Sequence, residues 1–255
     1  MIAPAAVHAT APADSDDVLV ANEIVKRFNA FVAVDRVDFK LGPREAVGIV
    51  GPNGAGKTTL LGVLAGTYSP SEGTVSFDGA DVSRLDAASR CRLGIARSHQ
   101  VPRPFTDMTV FENVFVAASA GGGTTGAPAY DTSIEALRLC GMLALGNRKA
   151  AALGLLDRKR LELARALGTG PKVLLLDEIG AGLTDSEANE LVAIVRELRG
   201  RGIAIVWIEH ILHVLLQVVE RLVCMDAGRV IADGVPEVAL AHPAVIEAYL
   251  GSGVT

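Results

Sequence analysis

Apolar and polar positions along this chain alternate at two periods. "VLVANEIVKRF" and "FVAVDRVDFKL" are rich in branched residues and end in turn signals, which predicts two strands. "REAVGIVG" is short and nearly all apolar, the pattern of a strand buried on both faces. A helix is predicted from about Lys57 to Gly66, and "GTVSFDG" alternates as a strand between glycines. From about residue 85 to 168 helical spacing dominates, broken by "GGGTTGAPA" at 121–129, a flexible connection. "KVLLLDE" then reads as a buried strand, "DSEANELVAIVRELRGRG" as an amphipathic helix and "IAIVWIEH" as a second buried strand. "RLVCMDAGRVIADG" predicts a hairpin turning at Ala227-Gly228. Strand and helix alternate at both ends of the chain, so the expected fold is α/β: a mostly parallel sheet with a helical insert between its halves.

One stretch breaks the pattern. "LGLLDRKRLELARAL", residues 153–167, starts apolar and turns basic at Asp157-Arg158-Lys159-Arg160. Leu161, Ala164 and Leu167 then recur at helical spacing, which predicts a helix starting near Asp157 with that residue as its N-cap. A helix start can face an anion, and the stretch alone does not say which.

Composition narrows the classes. At 255 residues the chain can hold one large α/β domain or a core with a subdomain. Half of it is hydrophobic, yet runs such as Val173 to Leu176 and Ile203 to Ile208 are far short of the ~18 apolar residues a membrane span needs. A soluble chain that can dock on something apolar is expected. Net charge of −5 and 4% aromatic residues argue against a nucleic-acid partner. Cys91, Cys140 and Cys224 form neither a disulfide framework nor a zinc pattern, which points to a reduced, cytoplasmic compartment. Residues 1–16 lack a basic region and a sustained apolar run, so they read as a disordered tail, not a signal peptide; 251–255 read as a second tail.

"GPNGAGKT", residues 51–58, matches G-x-x-x-x-G-K-[ST] between a predicted strand and a predicted helix. In such a P-loop, glycines let successive backbone N–H groups face phosphates, the lysine (Lys57) reaches the terminal phosphates, and the hydroxyl (Thr58) binds magnesium. The expected contacts run through Gly51, Pro52, Asn53, Gly54, Ala55, Gly56, Lys57, Thr58 and Thr59, with a nucleotide and Mg²⁺ bound. "VLLLDE" ends in two carboxylates: Asp177 can join the magnesium shell, and Glu178 can orient or deprotonate an attacking water. "IAIVWIEH" ends in Glu209-His210, where His210 can hydrogen-bond a terminal phosphate; His213 reads as surface or packing.

P-loop, "VLLLDE" and "IEH" in this order, with a helical insert before the second, resemble the ATP-binding subunit of ABC transporters over about residues 17–250. "FVAVDRV", "GIARSHQVPRPFTDMTVFENV" and the terminal "HPAVIEAYLG" resemble the ATPase subunits of branched-chain amino-acid importers. The resemblance implies a P-loop core with an antiparallel β subdomain and a helical subdomain at about 85–168. It makes the nucleotide ATP, and by position it makes Gln100 a magnesium ligand and Phe28 the aromatic that stacks on adenine. It implies a peripheral protein on the cytoplasmic face of the inner (plasma) membrane. The partners implied are permease subunits docked around Gln100 to Met108, a second ATPase subunit, and indirectly a periplasmic solute-binding protein.

The 153–167 stretch stands where the family's L-S-G-G-Q signature meets the partner's γ-phosphate. Its tail fits, but Gly154 stands for serine, Leu155 and Leu156 for the glycine pair, and Asp157 for glutamine. Thr184 also stands where the family commonly has aspartate. The leucines resist the positive φ a tight anion-binding turn would use, so a heterodimer with an intact partner is favoured over a homodimer. A GTPase would need N-K-x-D, which is missing. A small-molecule kinase leaves the "LELARAL" helix without a role. A soluble ABC-type ATPase not coupled to transport is the remaining alternative.

Overall fold

A computed structural model describes residues 16–251; the tails expected at 1–16 and 251–255 lie outside the described residues save for their innermost positions. The described chain opens with the two predicted strands, β1 (Leu19–Phe28) and β2 (Phe31–Leu41), paired antiparallel. With β4 (Glu72–Phe77) and β5 (Ala80–Asp81) it forms a four-stranded sheet of order β2-β1-β4-β5, antiparallel throughout. The main sheet has six strands in the order β10-β9-β3-β8-β7-β6. Here β3 (Ala46–Val50), β6 (Ile95–Arg97), β7 (Val173–Asp177), β8 (Ala204–Ile208) and β9 (Arg221–Asp226) run parallel, and β10 (Arg229–Gly234) closes one edge antiparallel.

Every residue of β3, β7 and β8 is buried, and their period of two divides the core. Val47, Ile49, Val173, Leu175, Val206 and Ile208 join the cluster under the antiparallel sheet, together with Leu60, Leu61 and Leu64 of α1 (Lys57–Leu64). Leu174, Leu176, Ile205 and Trp207 join the other cluster, with Leu163 of α5 (Leu155–Gly168) and Leu191 and Val195 of α6 (Asp185–Gly200). The wholly buried Arg90 lies on α2 (Ala87–Leu93) and caps α1, donating to the carbonyls of Val63 at 2.7 Å and Leu64 at 2.9 Å.

The structure departs from the sequence reading in three places. Ile95–Arg97, inside the span read as helical, is a strand of the main sheet, paired with β7; three residues are too few to carry a period. The connection expected at 121–129 is shorter, because α4 starts at Ala127; a π-helical turn, Ala117–Gly121, links it to α3 (Val110–Val116). α5 begins at Leu155 with Gly154 as N-cap, and Asp157 lies in its first turn, 3.4 Å from Arg160. The first helical bond runs from Arg158 N–H to the Gly154 carbonyl, and the Arg158 guanidinium donates to the carbonyls of Leu153 and Ala151 at 3.0 and 3.2 Å, so Asp157 is inside the helix and does not cap it. The β9–β10 turn falls at Ala227-Gly228, both with positive φ (44° and 81°), as its pattern predicts.

Candidate active site

The chemistry-bearing residues gather at the C-terminal ends of β3, β8, β7 and β6, four neighbouring strands, where parallel sheets take their ligands. After β3 the Gly51–Thr59 loop follows a course only glycine permits. A Cβ on Gly51 (φ 148°) would lie 2.0 Å from the Met225 carbonyl oxygen, and one on Gly56 (φ 97°) 2.4 Å from that of Ala33. Lys57 is buried and donates to the carbonyls of Gly51 at 2.7 Å and Pro52 at 2.9 Å, so its ammonium lies across the loop. Burial pushes its pKa down, against the opposing pull of Glu178 and Asp177. A cleft of about 240 Å³ opens over the loop, lined by Asn53 to Thr59, Phe31, Ala33 and Glu178. A larger cavity of about 650 Å³, beside Arg44, Lys172 and Ala204, lies at the opposite end of the strands, away from this chemistry.

Asp177 ends β7 almost fully buried. One carboxylate oxygen pairs with Arg97 at 2.7 Å; the other is buried with no hydrogen-bond partner, an arrangement that a cation would complete. Among the described residues no group of three or more His, Cys, Asp or Glu could hold a metal alone. The free oxygen of Asp177 therefore fits a hard cation such as magnesium that takes its other ligands from elsewhere, phosphate and water among them.

Glu178 has φ 48°, a left-handed conformation that costs a non-glycine residue of order 1–3 kcal/mol and must be held by its surroundings. Its N–H donates to the Ile208 carbonyl at 2.9 Å. Its carboxylate meets His210 Nε2 at 2.8 Å on one oxygen and accepts from the Gln100 amide on the other. Gln100, Glu178 and His210, each singled out from sequence, thus form one cluster at the cleft.

Other expected residues fall elsewhere. Phe28 is half exposed and packs edge-on against Tyr68, centroids 5.2 Å apart; the aromatic lining the cleft is Phe31, three residues on. Gly154, Leu155, Leu156 and Asp157 form the start of α5 outside the cleft lining. Leu155 and Leu156 take ordinary helical backbone, without the positive φ that leucine resists. Thr184 is the N-cap of α6, in a reciprocal capping box with Glu187.

Two residues were not assigned roles from sequence. Glu209 is buried, and its carboxylate accepts from the backbone N–H of Gly180 at 2.9 Å and of His210 at 3.0 Å, tying the loops after β7 and β8 together. An acid ending an all-apolar strand was the available signal. Lys159, also buried, donates to the carbonyls of Gln100 at 2.9 Å and Glu178 at 3.2 Å. Its signal was helical phase: it shares a face with Leu163 and Ala166, where a cation needs a partner. Burial pushes its pKa down, opposed by Glu209, Glu178 and Asp177.

Residues 34–181 match the family model described as ABC transporter, and residues 229–255 match that described as branched-chain amino acid ATP-binding cassette transporter. The chain belongs to the ABC transporter family. It is similar to the high-affinity branched-chain amino acid transport ATP-binding proteins LivG of Salmonella typhimurium (36% identity over 93% of this chain and 99% of that one) and BraF of Pseudomonas aeruginosa (33%, with the same coverage). Among solved structures it is similar to a nucleotide-free ATP-binding cassette from an ABC transporter, with TM-score 0.84 and 30% identity over 91% of this chain and 98% of that one. It is equally close to the ADP conformation of an ATP-binding cassette of an ABC transporter: TM-score 0.84, 32% identity, covering 93% of this chain and all of that one. As an ABC ATPase the chain binds ATP, and its catalytic activity is ATP hydrolysis. No helix among the described residues is long and apolar enough to cross a membrane.

Proposed function

We propose that this ABC ATPase powers an importer of branched-chain amino acids or a related small solute. It would sit peripherally on the cytoplasmic face of the inner (plasma) membrane. The observation that carries the hydrolytic part is the Gln100–Glu178–His210 cluster beside the Lys57 loop. The match of residues 229–255 to the branched-chain family model supports the solute class.

In this reading, backbone N–H groups from Gly51 to Thr59 and the Lys57 ammonium bind the phosphates of ATP, with Phe28 and Phe31 available to the base. Thr58, Gln100 and Asp177 would hold magnesium, which when bound would neutralise phosphate charge. Glu178 orients and deprotonates the attacking water, and His210 hydrogen-bonds the γ-phosphate while steadying Glu178. Gly154 to Asp157 contact ATP held by a second ATPase subunit; because that signature lacks serine and the glycine pair, a heterodimer is favoured. Permease subunits dock on the loop from Gln100 to Met108, and a periplasmic solute-binding protein acts through them. That loop exposes Val101, Phe105 and Met108, and the buried Asn113 braces it by accepting from Phe105 N–H at 2.8 Å and donating back to its carbonyl at 3.0 Å.

The test is reconstitution. Co-expressed with its candidate permease and second ATPase subunits, the chain is expected to co-purify and to drive ATP-dependent leucine, isoleucine or valine uptake into vesicles. Stable assembly with uptake of none of the three would overturn the solute class. Absence of any assembly would overturn coupling to transport.

A further inference from the structure

Resting on the reading of Glu178 as the water-activating residue, we infer that Lys159 is the positioning residue that links α5 to this carboxylate. Three observations carry the inference. Lys159 is 3% exposed although it stands in a run of basic residues whose neighbours reach the surface. Its Nζ bridges two backbone carbonyls 78 positions apart, those of Gln100 and Glu178, whose side chains are themselves hydrogen-bonded. And Glu178 sits at φ 48°, so its carboxylate direction depends on whatever restrains its backbone.

Those restraints come from two sides. The Ile208 carbonyl holds the Glu178 N–H from within the main sheet. On the other side the Glu178 carbonyl accepts from Ala181 N–H of its own loop at 3.2 Å and from Lys159 of the helix that opens with Gly154 to Asp157. The same ammonium holds the first residue of the loop running on to Phe105. A displacement of α5 or of that loop therefore moves the peptide unit after Glu178 before it reaches any ligand. Lys159 does not line the cleft, so it acts through Glu178 and not on substrate.

The test separates positioning from packing and from the Glu178 reading itself. Lys159→Met keeps the length and loses the donors. In the full chain it is expected to lower kcat about tenfold or more while leaving KM and ATP affinity within about threefold, and Lys159→Arg is expected to restore most of the rate. In a Glu178→Gln background, Lys159→Met is expected to add no further loss, since both changes act on one carboxylate. Should Lys159→Met not fold, Lys159→Leu, which also lacks a donor, serves in its place. Unchanged kcat overturns the proposal. So does a parallel loss of affinity, rate and thermal midpoint that arginine does not rescue, because that is the mark of packing. Wild-type turnover in Glu178→Gln overturns the underlying reading, whatever Lys159 does.

Discussion

At the level of single residues the site contrasts two kinds of charge. Among the described residues Lys57 forms no ion pair and spends its hydrogen bonds on its own loop, so phosphate oxygens can replace the carbonyls of Gly51 and Pro52 without breaking a salt bridge there. Losing a charge-assisted contact of this kind costs ~1.5–3 kcal/mol. Lys57→Ala is therefore expected to weaken ATP binding roughly ten- to a hundredfold in a calorimetric titration. Unaltered affinity would remove the lysine from the phosphate site. Glu178 is held by Gln100 and His210 on its carboxylate and by Ile208 on its N–H, and in the proposed reading it serves hydrolysis and not binding. Glu178→Gln keeps its shape, so ATP is expected to bind while turnover collapses. With ATP and magnesium the variant is expected to elute from size exclusion as a trapped dimer; a monomer under those conditions counts against the role.

At the level of elements, helix starts matter most. Thr184 departs from the family's common aspartate, yet its hydroxyl accepts from Glu187 N–H, and Glu187 returns the bond to the Thr184 backbone. The position is thus a cap that aspartate can also serve. Thr184→Ala is expected to lower the thermal midpoint by about 2–4 °C, and Thr184→Asp to leave it nearly unchanged. Gly154 is the N-cap of α5, and an added Cβ there meets nothing within 4 Å. Serine can therefore be introduced without strain. If the missing hydroxyl limits a shared ATP site, Gly154→Ser with Leu156→Gly is expected to raise turnover of the isolated chain roughly tenfold or more. Brisk turnover before the change and none gained after it would show that α5's own N–H groups suffice.

For the whole molecule the question is how hydrolysis reaches a membrane partner. The helical insert packs α3 and α4 against α5, and the loop before α3 carries Phe105 with the Arg165 guanidinium 5.2 Å from its ring centroid. This loop spans the distance from the Gln100 cluster to an exposed apolar surface. Phe105→Asp is expected to leave ATP binding and basal ATPase activity intact and to abolish the transport reconstituted with permease. Equal transport by the variant would assign the docking surface elsewhere.

The sequence by itself determined the fold class, the loop over Lys57, the carboxylates after "VLLL", the histidine after "IAIVWIE" and the hairpin at Ala227-Gly228, whereas Gln100 stood out only through the family resemblance. Each of these is local: a glycine spacing, a buried apolar run, a residue at a strand end. Tertiary structure alone decided that Ile95–Arg97 joins the main sheet, that Phe31 and not Phe28 lines the cleft, and that α5 begins at Leu155 with Gly154 as its cap. It also decided that Arg97 neutralises half of Asp177 across 80 positions and that Lys159 bridges Gln100 and Glu178. These depend on burial without a matching local pattern. A charged side chain in a core takes its partner from wherever the chain's packing brings one, and no periodicity along the sequence encodes that address.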